Sequence, residues 1–549
     1  MVLSDRQLSV IRREPLVTTG VWRPDLSRRE ALLLGGGLVS TSLLSACGGG
    51  SGDRTDGGGA PQRGGTLTFA WNTPVYESLD PHKTQDPATY RYITPLYSKL
   101  LEIKTGPNVT GYQLTPDLAR EWTVSKDGLT YTFHLRDDVV WHDLPPVNGR
   151  GFTSDDVVAT FQRIMRLPGD NAWMFERVAS VEAPDKYTVV VKLKKRYGPF
   201  LEYMAHPWNV IIPREGAEGR YDLGKQVIGT GPFVLKSWSR EEEMTRVRNP
   251  RYFIKGRPYL DELNHVVLAE PAAVAAALRS GRVDMGVLDH RLAAELTRGG
   301  RHRTYSVLNY PQQLNLNTQR PPFDDLRVRR AVALAVDWDG VGKTIFGKYQ
   351  LSSIVTPASG PYALPPDQIR KVRPYDPAQA RRLLAEAGLG SGFGTEMIVQ
   401  KLSPSDVQVA EYMAQDLKKV GINVTLRILD TATAVQRRLN GQFTMAKSMR
   451  GLIHYDIFLS DLEPDARLNV SRIKDPRLGE MIEASRDIVD DAKRAKAVQD
   501  IARYAEQNNS AAIYPLCTYQ HYVHGAHVHD LYPSPEITGR YWADVWVSK

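Results

Sequence analysis

The chain has 549 residues, 42% of them apolar and 24% charged, ordinary values for a folded protein and enough length for more than one domain. Its net charge is +8, of which residues 1–46 supply +2 through six Arg against four acids, leaving +6 on the rest. That mild charge, with no dense Lys/Arg run interleaved with aromatics, argues against a nucleic-acid partner, and two cysteines in the whole chain exclude a disulfide-stapled scaffold.

The N-terminus reads as an address. Ser27-Arg28-Arg29 opens an apolar run from Ala31 to Ala46 that ends in Leu44-Ser45-Ala46-Cys47. The run is shorter than the roughly 20 residues a stable membrane span needs. The twin arginine resembles a Tat export signal, with Ala31-Leu32 where that pattern places its apolar residue, and Sec export stays open. Leu44 to Cys47 resembles a bacterial lipobox, which implies that Cys47 carries a diacylglycerol and becomes the mature N-terminus. Residues 1–46 are therefore expected to be an export signal of lipoprotein type, and residues 47–62, with Gly48 to Gly50 and Gly57 to Gly59, a flexible tether. With Cys47 acylated no internal disulfide can form, and the apolar run Ala511 to Leu516 predicts a buried Cys517.

Downstream, Leu67, Phe69 and Trp71 alternate with Thr66, Thr68 and Ala70, a strand with one buried face, and a polar and aromatic loop from Asn72 to His82 follows. Leu129 to Arg136 alternates completely and predicts a strand of a half-solvated antiparallel sheet. Thr153 and Asp156 have the spacing of a capping box, ahead of a helix face formed by Val157, Phe161 and Ile164. Tyr187 to Lys194 predicts another strand. Gly229 to Pro232 predicts a turn that launches the strand Phe233 to Trp238.

From Leu308 to Asp337 the pattern is a crossing strand, a turn and a helix. Leu314 and Leu316 alternate with Asn315 and Asn317, Pro321-Pro322 stops the strand, and Asp324 or Asp325 can cap a helix with Val328, Ala331, Val332 and Ala335 on one face. Asp376-Pro377 starts a helix with Ala380, Leu383 and Leu384 inward, ended by Gly388. A further helix, Val409 to Val420, leads through Gly421 into the strand Ile422 to Ile428, an alternation that suggests an α/β unit.

The stretch LNLNTQRPPFDDLRVRRAVALAVD, from Leu314 to Asp337, resembles a segment of the family 5 extracytoplasmic solute-binding proteins of ABC importers, which bind dipeptides, oligopeptides or nickel. Further matches follow in order: LDPH at Leu79, TPDLAREWTVSKDGLTYTFHLRDDVVWHD at Thr115, GTGPF at Gly229, RNPRYF at Arg248, SGRVDMG at Ser280 and YDPAQARRLLAEAGL at Tyr375. The resemblance implies an α/β, two-lobed periplasmic-binding-protein-like fold with mixed sheets, two crossing strands as hinge and an inserted subdomain in the first lobe. Lobe 1 is expected over 63–307, with the insertion at about 100–215, lobe 2 over 308–515, and a return to lobe 1 over 516–549, where Tyr541 to Val547 would be a terminal strand. It also implies capture of a small peptide or other organic solute between the lobes, for delivery to the membrane subunits of an ABC permease. The protein would be a lipid-anchored monomer outside the cytoplasm, with no cofactor.

For the site, the resemblance places ligand contacts at the end of the first strand, Asn72 and Tyr76, and on the second lobe in Met449 to Leu462. There Arg450, Tyr455 and Asp456 are expected to line the cleft and face Asn315 and Asn317 or the loop at Asn72 and Tyr76, with Asp456 matched to a cationic group of the solute. Peptide-binding relatives carry a Trp and a DxPDP-type turn in this region, whereas this chain has Leu452 or Ile453 and the acids Asp456 and Asp461, which puts α-amino recognition in doubt. No G-x-S-x-G, H-E-x-x-H or C-x-x-C occurs, and Gly342-Lys343-Thr344 fails as a P-loop because Asp337 stands at the first glycine position, so no enzymatic activity is expected. His521, His524, His527 and His529 keep a nickel or metal-chelate receptor as an alternative, although strand geometry sets His524 on the opposite face from His527 and His529. A lipid-anchored sensor with the same fold is a further alternative.

Overall fold

Leu67, Phe69 and Trp71 turn inward, and their strand Thr66–Trp71 runs parallel between Glu262–Val267 and Met285–Leu288. The structure is a computed structural model; it describes residues 59–548 apart from 74–77, 85–86, 108, 110–111, 168–170, 450–453, 534–535 and 537–538. Outward from Glu262–Val267 the sheet adds Glu243–Arg248 and then Phe233–Ser239, both antiparallel. On the other side Met285–Leu288 pairs antiparallel with Leu516–Gly525.

The sheet then leaves the first lobe. His302–Leu316 is fifteen residues long, roughly 50 Å of extended chain, and pairs antiparallel with Leu516–Gly525 from His302 opposite Gly525 to Pro311 opposite Cys517. Past Pro311, residues Gln312 to Leu316 pair with Met445–Met449, which lies parallel to Phe393–Gln400, itself parallel to Ile422–Leu429. The same two strands serve separate apolar cores. Val307 and Tyr522 join a core with Leu67, Phe133, Phe161, Trp208 and Trp542, whereas Leu314 and Leu516 join another with Val332, Leu384, Met413 and Val498. Two cores threaded by two shared strands make a two-lobed molecule with a mixed sheet through its hinge.

Local signals explain the elements around them. Within the first lobe a four-stranded antiparallel sheet runs in the order Ala119–Val124, Thr130–Leu135, Thr188–Leu193, Val178–Asp185. The helix Ser154–Arg166 opens with the Thr153–Asp156 capping box and buries Val157, Phe161 and Ile164. In the second lobe Asp325 caps Leu326–Ala335 and Asp376 caps Pro377–Glu386. The helix predicted from Val409 starts earlier, as Pro404–Lys418, because Ser403 and Asp406 form a second capping box with Pro404 in the first turn.

The C-terminal segment differs from the expected single strand over Tyr541 to Val547. Residues Arg540–Ala543 form a 3-10 turn, and only Trp546–Val547 is extended, paired with Val528–His529. The neighbours Tyr541 and Trp542 both bury in the first core, which a strand with alternating faces does not allow. Among the described residues no helix is long and apolar enough to cross a membrane.

Candidate functional site

Asn72 lies exposed just beyond the strand Thr66–Trp71, and Thr73 Oγ1 donates to its Oδ1 at 3.2 Å. Beside it the Trp71 ring packs under the Arg91 guanidinium, 4.1 Å from the ring centre. Arg91 also donates to Tyr522 OH at 2.8 Å and Gln520 Oε1 at 3.3 Å, tying this strand end to the second crossing strand. Tyr76, Arg450 and Cys47 lie outside the described residues.

Asn315 and Asn317 are buried, and their side-chain amides bond within the second lobe. Asn315 Nδ2 donates to Ser471 Oγ at 3.0 Å, and Asn317 Nδ2 donates to the carbonyls of Gly441 and Phe443 at 3.1 and 3.0 Å. The loop at Ser471, held by Thr318 N and Oγ1, covers that side of the strand, so both faces are buried and each Nδ2 donates to a second-lobe acceptor, while Asn315 Oδ1 has no hydrogen-bond partner among the described residues. Asp461 is buried too, accepting from Tyr514 OH and Gln313 Nε2.

Tyr455 and Asp456 sit together, but in the contact between the lobes rather than on an open wall. Asp456 Oδ2 accepts from Tyr203 OH at 2.7 Å and Tyr197 OH at 3.1 Å, both from the first lobe, while Oδ1 accepts from Arg486 Nε of its own lobe at 2.7 Å. Burial pushes the Asp456 carboxyl up, but the Arg486 charge and the Tyr203 hydrogen bond outweigh it and hold the group below its ordinary value. The first lobe answers with Glu202. Its Oε1 accepts from Arg494 Nη2 at 3.0 Å and Tyr362 OH at 3.2 Å, and its Oε2 accepts from His454 Nε2 at 2.8 Å. Since His454 Nδ1 accepts from Asp456 N at 3.3 Å, the proton toward Glu202 is on Nε2.

Aromatic rings fill the space between these charges. His454 stacks on Tyr203 of the first lobe and on Tyr455 of the second, each with 4.8 Å between ring centres, and Tyr455 stacks on Tyr362 at 3.7 Å. Arg494 Nε donates to Tyr455 OH at 2.7 Å. At the edge, His206 Nε2 points toward Glu536 at 3.6 Å, and burial holds its imidazole well below the ordinary value, hence neutral at pH 7. Tyr112 closes the group edge-on to His454 at 5.1 Å. Through Asp456, Glu202 and their partners the arrangement clasps the lobes together.

A family model described as bacterial extracellular solute-binding proteins, family 5 middle, matches residues 113–456. The chain belongs to that family. Heme-binding protein A of Haemophilus influenzae is 30% identical over 386 residues, 64% of this chain and 67% of that protein. Di/tripeptide-binding protein 2 of Pseudomonas aeruginosa is 30% identical over 384 residues, 64% of this chain and 69% of its own length. Among solved structures, the ABC transporter-associated periplasmic binding protein DppA of Helicobacter pylori, in complex with the peptide STSA, matches with a TM-score of 0.76 at 25% identity, over 89% of this chain and 99% of that one.

In this family 5 binding protein, sequence reasoning assigns no role to Tyr197, Glu202, Tyr203, Arg486 or Arg494. One signal for Arg494 was present: it occupies the apolar stripe of the helix Asp491–Asn508 with Val498, Ile501 and Ala505, where an unpaired charge would be costly. For Glu202 no local signal existed, since its partners all come from the other half of the chain. The four histidines are dispersed: His521 Nδ1 meets Ser306 Oγ, His524 Nδ1 meets Gly525 O, His527 pairs with Asp284, and His529 stacks on Trp546. Among the described residues no group of three or more His, Cys, Asp or Glu could hold a metal ion.

Proposed function

We propose that this solute-binding protein captures a peptide or similar organic solute between its lobes and delivers it, unchanged, to the permease of an ABC importer. The contact built on Glu202 and Asp456 is the observation that carries the reading, because it joins lobes whose other continuous links are two strands through the hinge. A solute that touches both lobes only when they are shut shifts the open–closed balance by its differential affinity, which is how binding becomes a signal for the permease. Relatives named for di- and tripeptides, and a solved relative holding a peptide, favour that ligand class; a relative named for heme shows that the family's solutes vary.

The division expected from sequence, lobe 1 over 63–307 and 516–549 with lobe 2 over 308–515, belongs to this proposal, as do Asn72, Tyr76 and Arg450 as solute contacts. So do Tat-type export, a lipid anchor on Cys47 and a monomeric working form. A thermal-shift screen of the whole chain against di-, tri- and tetrapeptides tests the reading. A peptide at about 100 times its Kd should add roughly 2.7 kcal/mol of stability. No shift with any peptide at millimolar concentration, alongside a shift with another solute, would replace peptide by that solute.

A further inference from the structure

The two carboxylates in the interlobe contact differ in one respect. Asp456 keeps Arg486 of its own lobe whether or not the lobes meet, and Arg494 keeps Tyr455 OH and the carbonyls of Ile488 and Val489. Glu202 has no such reserve among the described residues: the hydrogen bonds to its carboxylate come from His454, Tyr362 and Arg494, all in the second lobe. Parting the lobes would strip it of all three and return it to water; closing them exchanges that water for three bonds in a buried setting, two of them from an arginine and a tyrosine locked in an aromatic stack.

The chain around Glu202 is shaped for this approach. Gly198 N donates to the carbonyl of Arg486 at 2.7 Å, a backbone bond across the lobes. A methyl on Gly198 would collide with the Ile488 carbonyl oxygen and the Arg494 guanidinium, so the segment can seat against the second lobe only with glycine there. On the surface, Arg177 and Lys195 of the first lobe pair with Glu483 and Asp487 of the second, flanking the same segment with opposite charge.

We propose that Glu202 is a positioning residue for solute capture: fastened by the opposite lobe alone, it sets the balance between closed and open lobes, and through it the affinity, without touching the solute. This deepens the receptor reading and rests on it only for the word affinity. Hydrogen–deuterium exchange and small-angle scattering on the whole chain, with no solute added, test it with Glu202→Gln and Gly198→Ala. Both variants should raise exchange over residues 197–206 by about tenfold, the scale of one charge-assisted hydrogen bond, and should increase the radius of gyration. Exchange in Thr130–Leu135 and Pro404–Lys418, deep in either lobe, should stay at the wild-type rate. A folded Glu202→Gln chain with the wild-type radius and wild-type exchange at 197–206 overturns the proposal. If that variant fails to fold, Gly198→Ala, which removes no charge, decides by the same two readouts. Because no solute is used, a peptide screen without hits bears on the receptor reading and leaves this result standing, whereas an unchanged radius with unchanged exchange would sink the role of Glu202 alone.

Discussion

Arg494 and Glu202 are 292 positions apart in the chain, and the guanidinium of one donates to the carboxylate of the other at 3.0 Å. The helix Asp491–Asn508 delivers the arginine from the second lobe, and the short helix Phe200–Met204 delivers the acid from the first. The longer helix buries Ala495, Val498, Ile501, Ala502 and Ala505 in the second core, and the shorter buries Phe200 and Met204 in the first, so the pair joins the two lobes.

Asp456→Asn should destabilise the protein with no solute present. Removing one partner of a buried ion pair costs about 3–5 kcal/mol, but here Glu463 still accepts from Arg486 at 2.7 and 3.1 Å, and asparagine keeps a carbonyl for the two tyrosines. A loss of about 1–3 kcal/mol is expected from urea unfolding. An unchanged midpoint would mean that Asp456 is free of the lobe contact.

The pH dependence follows from the same groups. Burial raises the Glu202 carboxyl, and the His454 hydrogen bond together with the charge and hydrogen bond of Arg494 bring it below its ordinary 4.5; Asp456 is likewise held below 3.8, burial opposing and Arg486 prevailing. A carboxyl whose folded value is depressed binds its proton more readily once unfolded. Its stabilisation is therefore complete above the ordinary value and is lost as pH falls through the depressed one. Calorimetric Tm should be flat in this respect from neutrality to about 5, then fall on acidification, less steeply in Glu202→Gln. Equal slopes in the two proteins would count against the pairing.

Gly231→Ala should cost about 1–3 kcal/mol, the usual effect of overpacking. An added methyl there would lie 2.5 to 2.7 Å from backbone atoms of Pro95, Leu96 and Tyr97, which cannot rotate away. Gly231 O also accepts from Asn249 Nδ2 at 2.9 Å, so the GTGPF turn is where the RNPRYF segment docks. Gly299→Ala, with nothing within 4 Å of the new methyl, serves as the control and should melt like the parent.

Cys47→Ser should abolish acylation and move the protein from the detergent phase to the aqueous phase on Triton X-114 partitioning. Retention of the variant in detergent would show that something other than this thiol anchors it.

What the sequence by itself determined was local or strongly periodic. The strand at Thr66–Trp71, the capped helices after Thr153 and Asp376 and the crossing strand through Leu314 were all legible, because side-chain alternation and N-capping act within a few residues. The order of family segments along the chain carried the two-lobed architecture. Only the tertiary structure decided which way the polar residues on those elements were used. Asn315 is covered by Ser471, 156 positions on, and Asn317 by Gly441, 124 positions on; alternation shows that the two amides share a face but not what lies against it. Asp456, read as a contact for a charged solute, meets Tyr203, 253 positions earlier, across a boundary between lobes. A carboxylate takes whichever donors the folded chain brings within about 3 Å of it, and those donors are set by packing between distant segments.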